Sequence, residues 1–299
     1  MTITLATIRG IRVIGGSEPD PLAGAAVTAL EAGDDCLWAL VASASRVGAT
    51  DIVRIDRLGT RIAASFDSWV GACLGVGPGD VWVGTEEAHL LRLGAEGVDL
   101  VESFDGAPGR KDWYTPWGAP PDARSIAIHG DRLYVNVHVG GILCSVDGGA
   151  TWSPTLDVDD DVHQVTVDGD GTVWAATGAS ALAESRDGGE TWIYHRAGLD
   201  GRYLRCVAVV TGGLLVTGSS GPHAHDGVVY RFDGDAFHVC DQGLPARFDG
   251  NIDTFRVSAK GDLAAVAGLD GRLYVTEDAG STWSEAAGDI GNVRAVVVT

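Results

Sequence analysis

The chain has 299 residues, 45% of them hydrophobic, and carries a formal net charge of −20 at pH 7. Such an acidic protein is repelled by nucleic acid and by anionic membranes, which excludes both as general partners. No apolar stretch approaches the roughly 20 residues that span a bilayer, and residues 2–8 lack the basic start and long apolar run of a secretion signal. We therefore expect a cytoplasmic protein.

In chain order, seven segments begin with a short alternating strand and recur about every 40 to 50 residues. Alternation of period two, with turn residues between the runs, is typical of antiparallel strands. The spacing accommodates four strands in each repeat, which predicts the blades of a β-propeller. The first strands start near Ala25, Ala72, Arg124, His163, Arg205, Asp253 and Arg294.

The last repeat is incomplete, because residues 294–299 supply its first strand only. Residues 2–8 match a second strand and residues 10–15 a third strand, so the two chain ends together predict one blade, which removes a free sheet edge. The sequence thus predicts a single domain, residues 1–299, that forms a seven-bladed β-propeller of four-stranded antiparallel blades, with the last blade closed by N- and C-terminal strands. Six blades, with the terminal strands covering an edge, is the alternative.

One octapeptide occurs three times at the predicted turn between third and fourth strands: Ser145-Val-Asp-Gly-Gly-Ala-Thr-Trp152, Ser185-Arg-Asp-Gly-Gly-Glu-Thr-Trp192 and Thr276-Glu-Asp-Ala-Gly-Ser-Thr-Trp283. The Asp accepts backbone N–H bonds, the Gly permits left-handed backbone, and the Trp anchors the hairpin. We therefore interpret the three carboxylates as structural.

This octapeptide resembles the Asp box, or BNR repeat, of sialidase-like propellers. Residues 135–141 and 248–254 also resemble bacterial proteins labelled exo-α-sialidase-like or glycosyl-hydrolase-like. The resemblance implies the propeller fold and a ligand on the face away from the boxes, rather than an activity. A sialidase would also show Arg-Ile-Pro near its start, whereas this chain has Arg9-Gly-Ile-Arg12. We do not expect true sialidase activity.

Five of the seven first strands start with an ionisable residue at the predicted channel mouth. Arginine suits carboxylate, sulfate or phosphate, so we expect Arg124, Arg205 and Arg294 to bind a small anionic or sugar-like ligand. His163 lies near acidic residues 157–161 and is a candidate acid–base group, as are Asp253 and His138, which is predicted to pair with His163. Mutual ion pairing that plugs the channel is the alternative.

Two irregular loops are predicted at the same mouth. Residues 105–122 carry Trp113, Tyr114 and Trp117, which suggests a lid that stacks on a sugar or ring; packing over a blade edge is the alternative. Asn251, beside Asp253, is a further candidate for ligand binding.

Residues 219–227 contain His223 and His225, which together with Asp226 are weak metal ligand candidates. No cofactor is predicted, although a divalent metal is left open, and the oligomeric state is not predicted. Three functions remain open from the sequence: a hydrolase or lyase with His/Asp acid–base chemistry, a ligand-binding or sensor propeller without chemistry, and a protein-interaction scaffold.

Overall fold

The computed structural model describes residues 2–16, 19–43, 45, 46 and 48–299. Its sheets are antiparallel, and six of them contain four strands each in sequence order. A seventh sheet pairs the C-terminal strand with the first two strands of the chain, in the order β2-β1-β27. The backbones of Thr2 and Thr299 bond to each other in both directions, at 3.0 and 2.9 Å. The chain is therefore an all-β, seven-bladed β-propeller whose last blade is built from both chain ends, as the sequence predicts, and the six-bladed alternative is wrong.

The strands of the first three complete blades are β3 (Val27–Ala32), β4 (Cys36–Ala42), β5 (Thr50–Asp56), β6 (Gly59–Phe66), β7 (Gly71–Gly77), β8 (Asp80–Thr85), β9 (Leu90–Leu93), β10 (Val98–Leu100), β11 (Ala123–His129), β12 (Arg132–Val137), β13 (Gly141–Ser145) and β14 (Ser153–Leu156). Those of the next three are β15 (Val162–Val167), β16 (Val173–Thr177), β17 (Ala181–Ser185), β18 (Ile193–His195), β19 (Tyr203–Val210), β20 (Gly213–Ser219), β21 (Val228–Phe232), β22 (Phe237–Val239), β23 (Val257–Lys260), β24 (Leu263–Ala267), β25 (Leu273–Thr276) and β26 (Ser284–Ala287). The closing blade has β1 (Ile3–Thr7), β2 (Gly10–Val13) and β27 (Val293–Val298).

Among the described residues, helical structure is confined to short turns. They are α1 (Glu102–Asp105) and the 3-10 turns Glu86–Ala88, Arg110–Asp112 and Val158–Asp160. No helix among the residues that the structure describes is long and apolar enough to cross a membrane.

The chain divides into two compact units. The N-terminal unit comprises Ala6–Ile11 and Pro19–Val165, and the C-terminal unit comprises Met1–Leu5, Arg12–Glu18 and Thr166–Thr299. In each unit, apolar residues of successive sheets pack together, for example Leu40, Ile52 and Val83 in the N-terminal unit. Each such fully buried side chain contributes about 1.5–3 kcal/mol through removal of apolar surface from water. That all 299 residues form one domain stays a prediction.

The three octapeptides form the turns between third and fourth strands. In the first copy, Asp147 Oδ1 accepts bonds from Ser145 Oγ and from the backbone N–H of Thr151, at 2.8 and 2.9 Å. The second and third copies repeat these bonds around Asp187 and Asp278. Hydrogen bonds from the seventh residue of each octapeptide, a Thr, and from the first, a Ser or Thr, lower the pKa of all three carboxyl groups to about 2. The carboxylates are therefore occupied as acceptors within their own turns.

Candidate functional site

Four first strands carry a β-bulge near their start, at a residue that differs between blades. The pairing register with the second strand skips one residue in β3, β7, β11 and β19. The skipped residues are Thr28, Ala72, Arg124 and Arg205. Each is half-buried between buried neighbours. A bulge re-aims a side chain without displacing the flanking core residues, so these positions vary without disturbing the blade. In the first blade the equivalent position is Thr28, not Ala25, which precedes β3 by two residues.

In the N-terminal unit, His138 lies in the turn between β12 and β13 and is held by Asp122. The backbone N–H of His138 donates to the carbonyl of Asp122 at 2.9 Å. The Nδ1 atom of the same imidazole lies 3.1 Å from Asp122 Oδ1. The residue is 8% exposed. Because backbone and ring are both fixed to one residue, the orientation of the imidazole is set before any ligand binds.

Two further groups lie close to the other edge of this imidazole. Asp161 Oδ1 is 4.0 Å from His138 Nε2, and Asp161 Oδ2 is 3.4 Å from His163 Nε2. The two imidazole centroids are 6.4 Å apart. His163 is fully buried. The structure therefore brings His138 and His163 together, as the sequence predicts, with a carboxylate between them. We call Asp122, His138, Asp161 and His163 the His–Asp cluster.

A buried polar network beneath the cluster fixes the strand that carries His163. Asn136 accepts a bond from Ser125 Oγ at 2.9 Å and donates to the carbonyl of Val162 at 2.6 Å. Ser125 Oγ in turn accepts the backbone N–H of Val165 at 2.9 Å. Because Asn136 is fully buried, each of these bonds also satisfies a polar group that water cannot reach.

The two aspartates of the His–Asp cluster are stabilised as carboxylates. Burial raises the pKa of Asp122, but the bond from His138 and the charges of Arg124 and His138 outweigh it, so its pKa lies below the usual range. Asp161 shows the same balance: burial is outweighed by the bond and charge of His163 and by the charges of His138 and Arg124, which leaves its pKa low. Arg124 makes no ion pair within 4.0 Å in the described part of the chain.

The long loop before β11 divides into a packed part and an exposed part. Trp113 is buried against Phe104, with ring centroids 5.7 Å apart, and the Arg110 guanidinium lies 5.0 Å from its ring centroid. Trp117 is 65% exposed and its ring centroid lies 4.9 Å from that of His138. Of the two tryptophans predicted to contact a ligand, Trp117 thus lies over the His–Asp cluster, whereas Trp113 packs into the blade.

In the C-terminal unit, three arginines and one aspartate of interest lie near the starts of β19, β23 and β27. Arg205 Nη1 lies 2.6 Å from Asp253 Oδ1. Arg256 is half-buried, and its pKa is lowered by burial and by the charge of Arg294, while Asp253 opposes the shift. Arg294 is exposed. Asp253 does not start a strand: it precedes β23 by four residues, because the intervening Phe255 has a left-handed backbone with φ of 66°.

The loop 219–227 is held by hydrogen bonds within the C-terminal unit. The Asn251 amide Nδ2 donates to the carbonyls of Gly221 and Pro222, at 3.1 and 2.9 Å. His225 Nδ1 lies 2.5 Å from Asp249 Oδ1, and His223 is exposed. Residues 2–16, 19–43, 45, 46 and 48–299 contain no group of three His, Cys, Asp or Glu side chains arranged to hold a metal. Asn251 therefore fastens the loop 219–227 to its own segment in this structure.

The sequence did not single out three residues that the structure places in these groups: Asp122, Asp161 and Arg256. Each of the three nevertheless occupies a recognisable position in the sequence. Asp122 ends the irregular loop before β11, Asp161 ends an acidic run, and Arg256 directly precedes a first strand. Arg124 and His163 belong to the N-terminal unit, whereas Arg205, Asp253 and Arg294 belong to the C-terminal unit. A single ligand site formed by all five residues stays a prediction.

No protein-family model and no curated protein matches the chain by sequence. Solved structures that are similar include YCF48 from Cyanidioschyzon merolae, with 14% identity, a TM-score of 0.58 and coverage of 90% of this chain and 87% of that one. The GH74 xyloglucanase from Xanthomonas campestris has 15% identity and a TM-score of 0.59 over 87% of this chain and 45% of its own. Virginiamycin B lyase from Staphylococcus aureus has 12% identity and a TM-score of 0.60 over 87% and 83%. At these identities the likeness shows the β-propeller fold and nothing finer.

Proposed function

We propose that the chain is a hydrolase or lyase that acts on a small anionic or sugar-like molecule, with His138 as its acid–base group. The observation that carries the proposal is the fixed orientation of His138. When its Nδ1–H is donated to Asp122, the imidazole presents Nε2 as the basic atom. Asp161 Oδ1 is buried and accepts no hydrogen bond from the residues that the structure describes. A ligand hydroxyl or acidic C–H that reached Nε2 would also lie close to this carboxylate, since the two acceptor atoms are 4.0 Å apart.

The residues around the cluster support the proposed class of ligand. Arg124 is a cation without an ion-pair partner among the described residues, and a guanidinium binds carboxylate, sulfate or phosphate through two parallel bonds. Trp117 presents an exposed ring on which a sugar would stack. In the C-terminal unit, Arg205, Arg256 and Arg294 form a second positive group, which suits an anion, with Asp253 orienting Arg205 rather than acting as a base.

The structural neighbours are compatible with such chemistry without identifying it. One of them is a catalytically inactive histidine-to-alanine variant of virginiamycin B lyase from Staphylococcus aureus with quinupristin, at 12% identity and a TM-score of 0.62. A propeller can therefore place a histidine that its reaction needs. The proposal for this chain depends on the geometry of His138.

A ligand-binding or sensor propeller without chemistry is the second candidate. The low exposure of His138 and the complete burial of His163 favour it, because a proton-transfer group needs access to its substrate. In that case Asp122 and Asp161 would only orient the imidazoles as hydrogen-bonding groups for the ligand.

A screen followed by substitution of His138 distinguishes the two candidates. The screen uses nitrophenyl glycosides, uronides, sulfates and phosphates for hydrolysis, and uronate oligosaccharides for elimination. On any substrate that is turned over, His138→Gln should lower kcat about 100- to 10,000-fold. His129→Gln is the matched control, since His129 is exposed at the end of β11 and belongs to no site. Saturable binding without turnover, lost in Trp117→Ala, would favour the sensor. Turnover that is unchanged in His138→Gln would refute the enzyme proposal.

We also propose that the chain belongs with Asp-box, BNR-repeat propellers of the sialidase-like class. The repeated hydrogen bonds around Asp147, Asp187 and Asp278 support this assignment, although true sialidase activity is not part of it. A cytoplasmic location is proposed with it, because all five cysteines are free thiols and a reducing compartment keeps them so. Cell fractionation tests the location.

A further inference from the structure

The outer strand of the first complete blade, β6, differs from the other outer strands in length. It has eight residues, Gly59–Phe66, and pairs along its length with β5. The other outer strands of the described sheets have three or four residues. An edge strand presents a row of backbone N–H and C=O groups that can pair with another chain, so proteins commonly keep such strands short. A long outer strand is thus a potential partner-binding element.

The first five residues of β6, Gly59–Ala63, are exposed, although successive side chains point to opposite faces of the sheet. This half of the strand therefore has solvent on both faces. Its apolar side chains are exposed as well: Leu58, in the turn before it, is 92% exposed and Ile62 is 61% exposed. In the described part of the chain, no backbone–backbone hydrogen bond other than those to β5 involves residues 59–66. The outer edge of β6 is thus available for backbone pairing with a further strand.

The same edge is positively charged on an acidic protein. Residues 57–66 contain Arg57 and Arg61 and no acidic residue, whereas the whole chain has a net charge of −20. Two carboxylates of β5 lie beside this strand: Asp56 is 3.2 Å from Arg54 Nε and 2.9 Å from Arg61 Nη1, and Asp51, which accepts a bond from Ser65 Oγ at 2.7 Å, is buried. Arg57 is exposed and makes no ion pair within the residues that the structure describes. The hairpin β5–β6 thus presents surplus positive charge beside an unpaired edge.

We propose that β6 binds an extended acidic segment of a partner protein, which adds to the blade as a further strand. Backbone bonds to residues 59–66 would supply affinity, Leu58 and Ile62 would contact alternate apolar side chains, and Arg57 and Arg61 would select negative charge. Parallel pairing with a second copy of this chain would bring the arginines of the two strands together, whereas antiparallel pairing would place Arg61 opposite Ala64, so an antiparallel dimer is an outcome that the test below must distinguish. An anionic membrane would contact the tip of the hairpin and would leave the backbone edge unused.

The test uses three labelled ten-residue peptides with the intact protein. One alternates Glu with Val, the second alternates Lys with Val, and the third keeps the acidic composition but carries proline at alternate positions, which prevents strand pairing. Fluorescence anisotropy should show saturable binding of the first peptide only. Amides of residues 59–66 should gain protection from hydrogen exchange in that complex, and added salt should weaken it.

Charge reversal on the hairpin tests the site. Arg57→Glu with Arg61→Glu should weaken binding of the acidic peptide at least about tenfold. Arg57→Glu alone should weaken it in the same direction, and it leaves the Asp56–Arg61 pair intact should the double variant fold poorly. Arg9→Glu, at an exposed arginine outside the hairpin, is the matched control and should bind as the wild type does. The proposal would be overturned if no peptide binds, or if the proline peptide binds as well as the acidic one. It would also be overturned if the protein binds anionic lipid vesicles instead of peptides and Arg57→Glu abolishes that binding, or if sedimentation shows a dimer that Arg57→Glu disrupts.

Discussion

Asn136 should be among the residues on which the stability of this fold depends most strongly. Replacing it with alanine removes the acceptor for Ser125 Oγ and the donor to the carbonyl of Val162. Both groups are then buried without these partners, and each such loss costs about 1–3 kcal/mol. We therefore expect Asn136→Ala to lower the free energy of unfolding by about 2–5 kcal/mol. Ser125→Ala removes one of the same bonds, so the two effects should not add and their coupling should be about 0.5–3 kcal/mol.

The assay is urea unfolding of the single and double variants, followed by two probes to confirm that the transitions coincide. Ser153→Ala is the control: this serine is exposed on β14 of the same blade, and its loss should change the free energy by no more than about 0.5 kcal/mol. If Asn136→Ala costs less than about 1 kcal/mol, or if the two substitutions add, the network does not hold β15 as described.

Three further predictions concern titration and thiol chemistry. The pKa of each octapeptide aspartate is about 2 in the folded protein, which is below its value in the unfolded chain. The stability that these carboxylates contribute is therefore present at neutral pH and is lost as the pH falls toward 2. Asp187→Ala should lower the thermal unfolding temperature at pH 6 and have a smaller effect at pH 2. Burial raises the pKa of Glu31 to about 7, so stability should fall as pH rises from about 4.5 to 7, and Glu31→Gln should be more stable than the wild type at pH 8 but not at pH 4. Cys36 is half-buried while the other four cysteines are buried, so a thiol reagent should modify one thiol rapidly in the native protein and all five after unfolding.

The blade architecture could be predicted from sequence because the octapeptide fixes the register in three blades. Strands β11, β19 and β27 begin within two residues of the predicted starts at Arg124, Arg205 and Arg294. The prediction is less accurate where the backbone departs from regular pairing. The sequence predicts a strand start near Asp253, yet the left-handed conformation of Phe255 delays β23 to Val257. Residue type alone does not reveal such a departure, since phenylalanine rarely adopts positive φ.

The candidate site was predictable in part for the same reason. The nearness of His138 and His163 follows from blade register, because the turn between the second and third strands of one blade lies on the same face as the start of the first strand of the next blade. The role of Asp122 and Asp161 does not follow from register, since both lie in irregular segments, and Asp161 has a left-handed backbone with φ of 50°. The separate environments of Trp113 and Trp117 also depend on the path of an irregular loop. Contacts between residues in irregular loops leave no periodic pattern in the sequence, so they could not be predicted from it.

The bulge near the start of four first strands explains how two of the candidate residues, Arg124 and Arg205, are accommodated there. Side chains in regular register on a first strand alternate between the two faces of the sheet, so a charge at a buried position either disrupts packing or needs a partner. The skipped residue of a bulge is released from this alternation, and threonine, alanine and arginine all occupy it while their neighbours stay buried. Selection can therefore change this position from blade to blade at little cost to stability. Of the two arginines at this position, Arg205 pairs with Asp253 within the protein at 2.6 Å, whereas Arg124 makes no ion pair among the described residues, so the ligand proposed above depends on Arg124 rather than on Arg205.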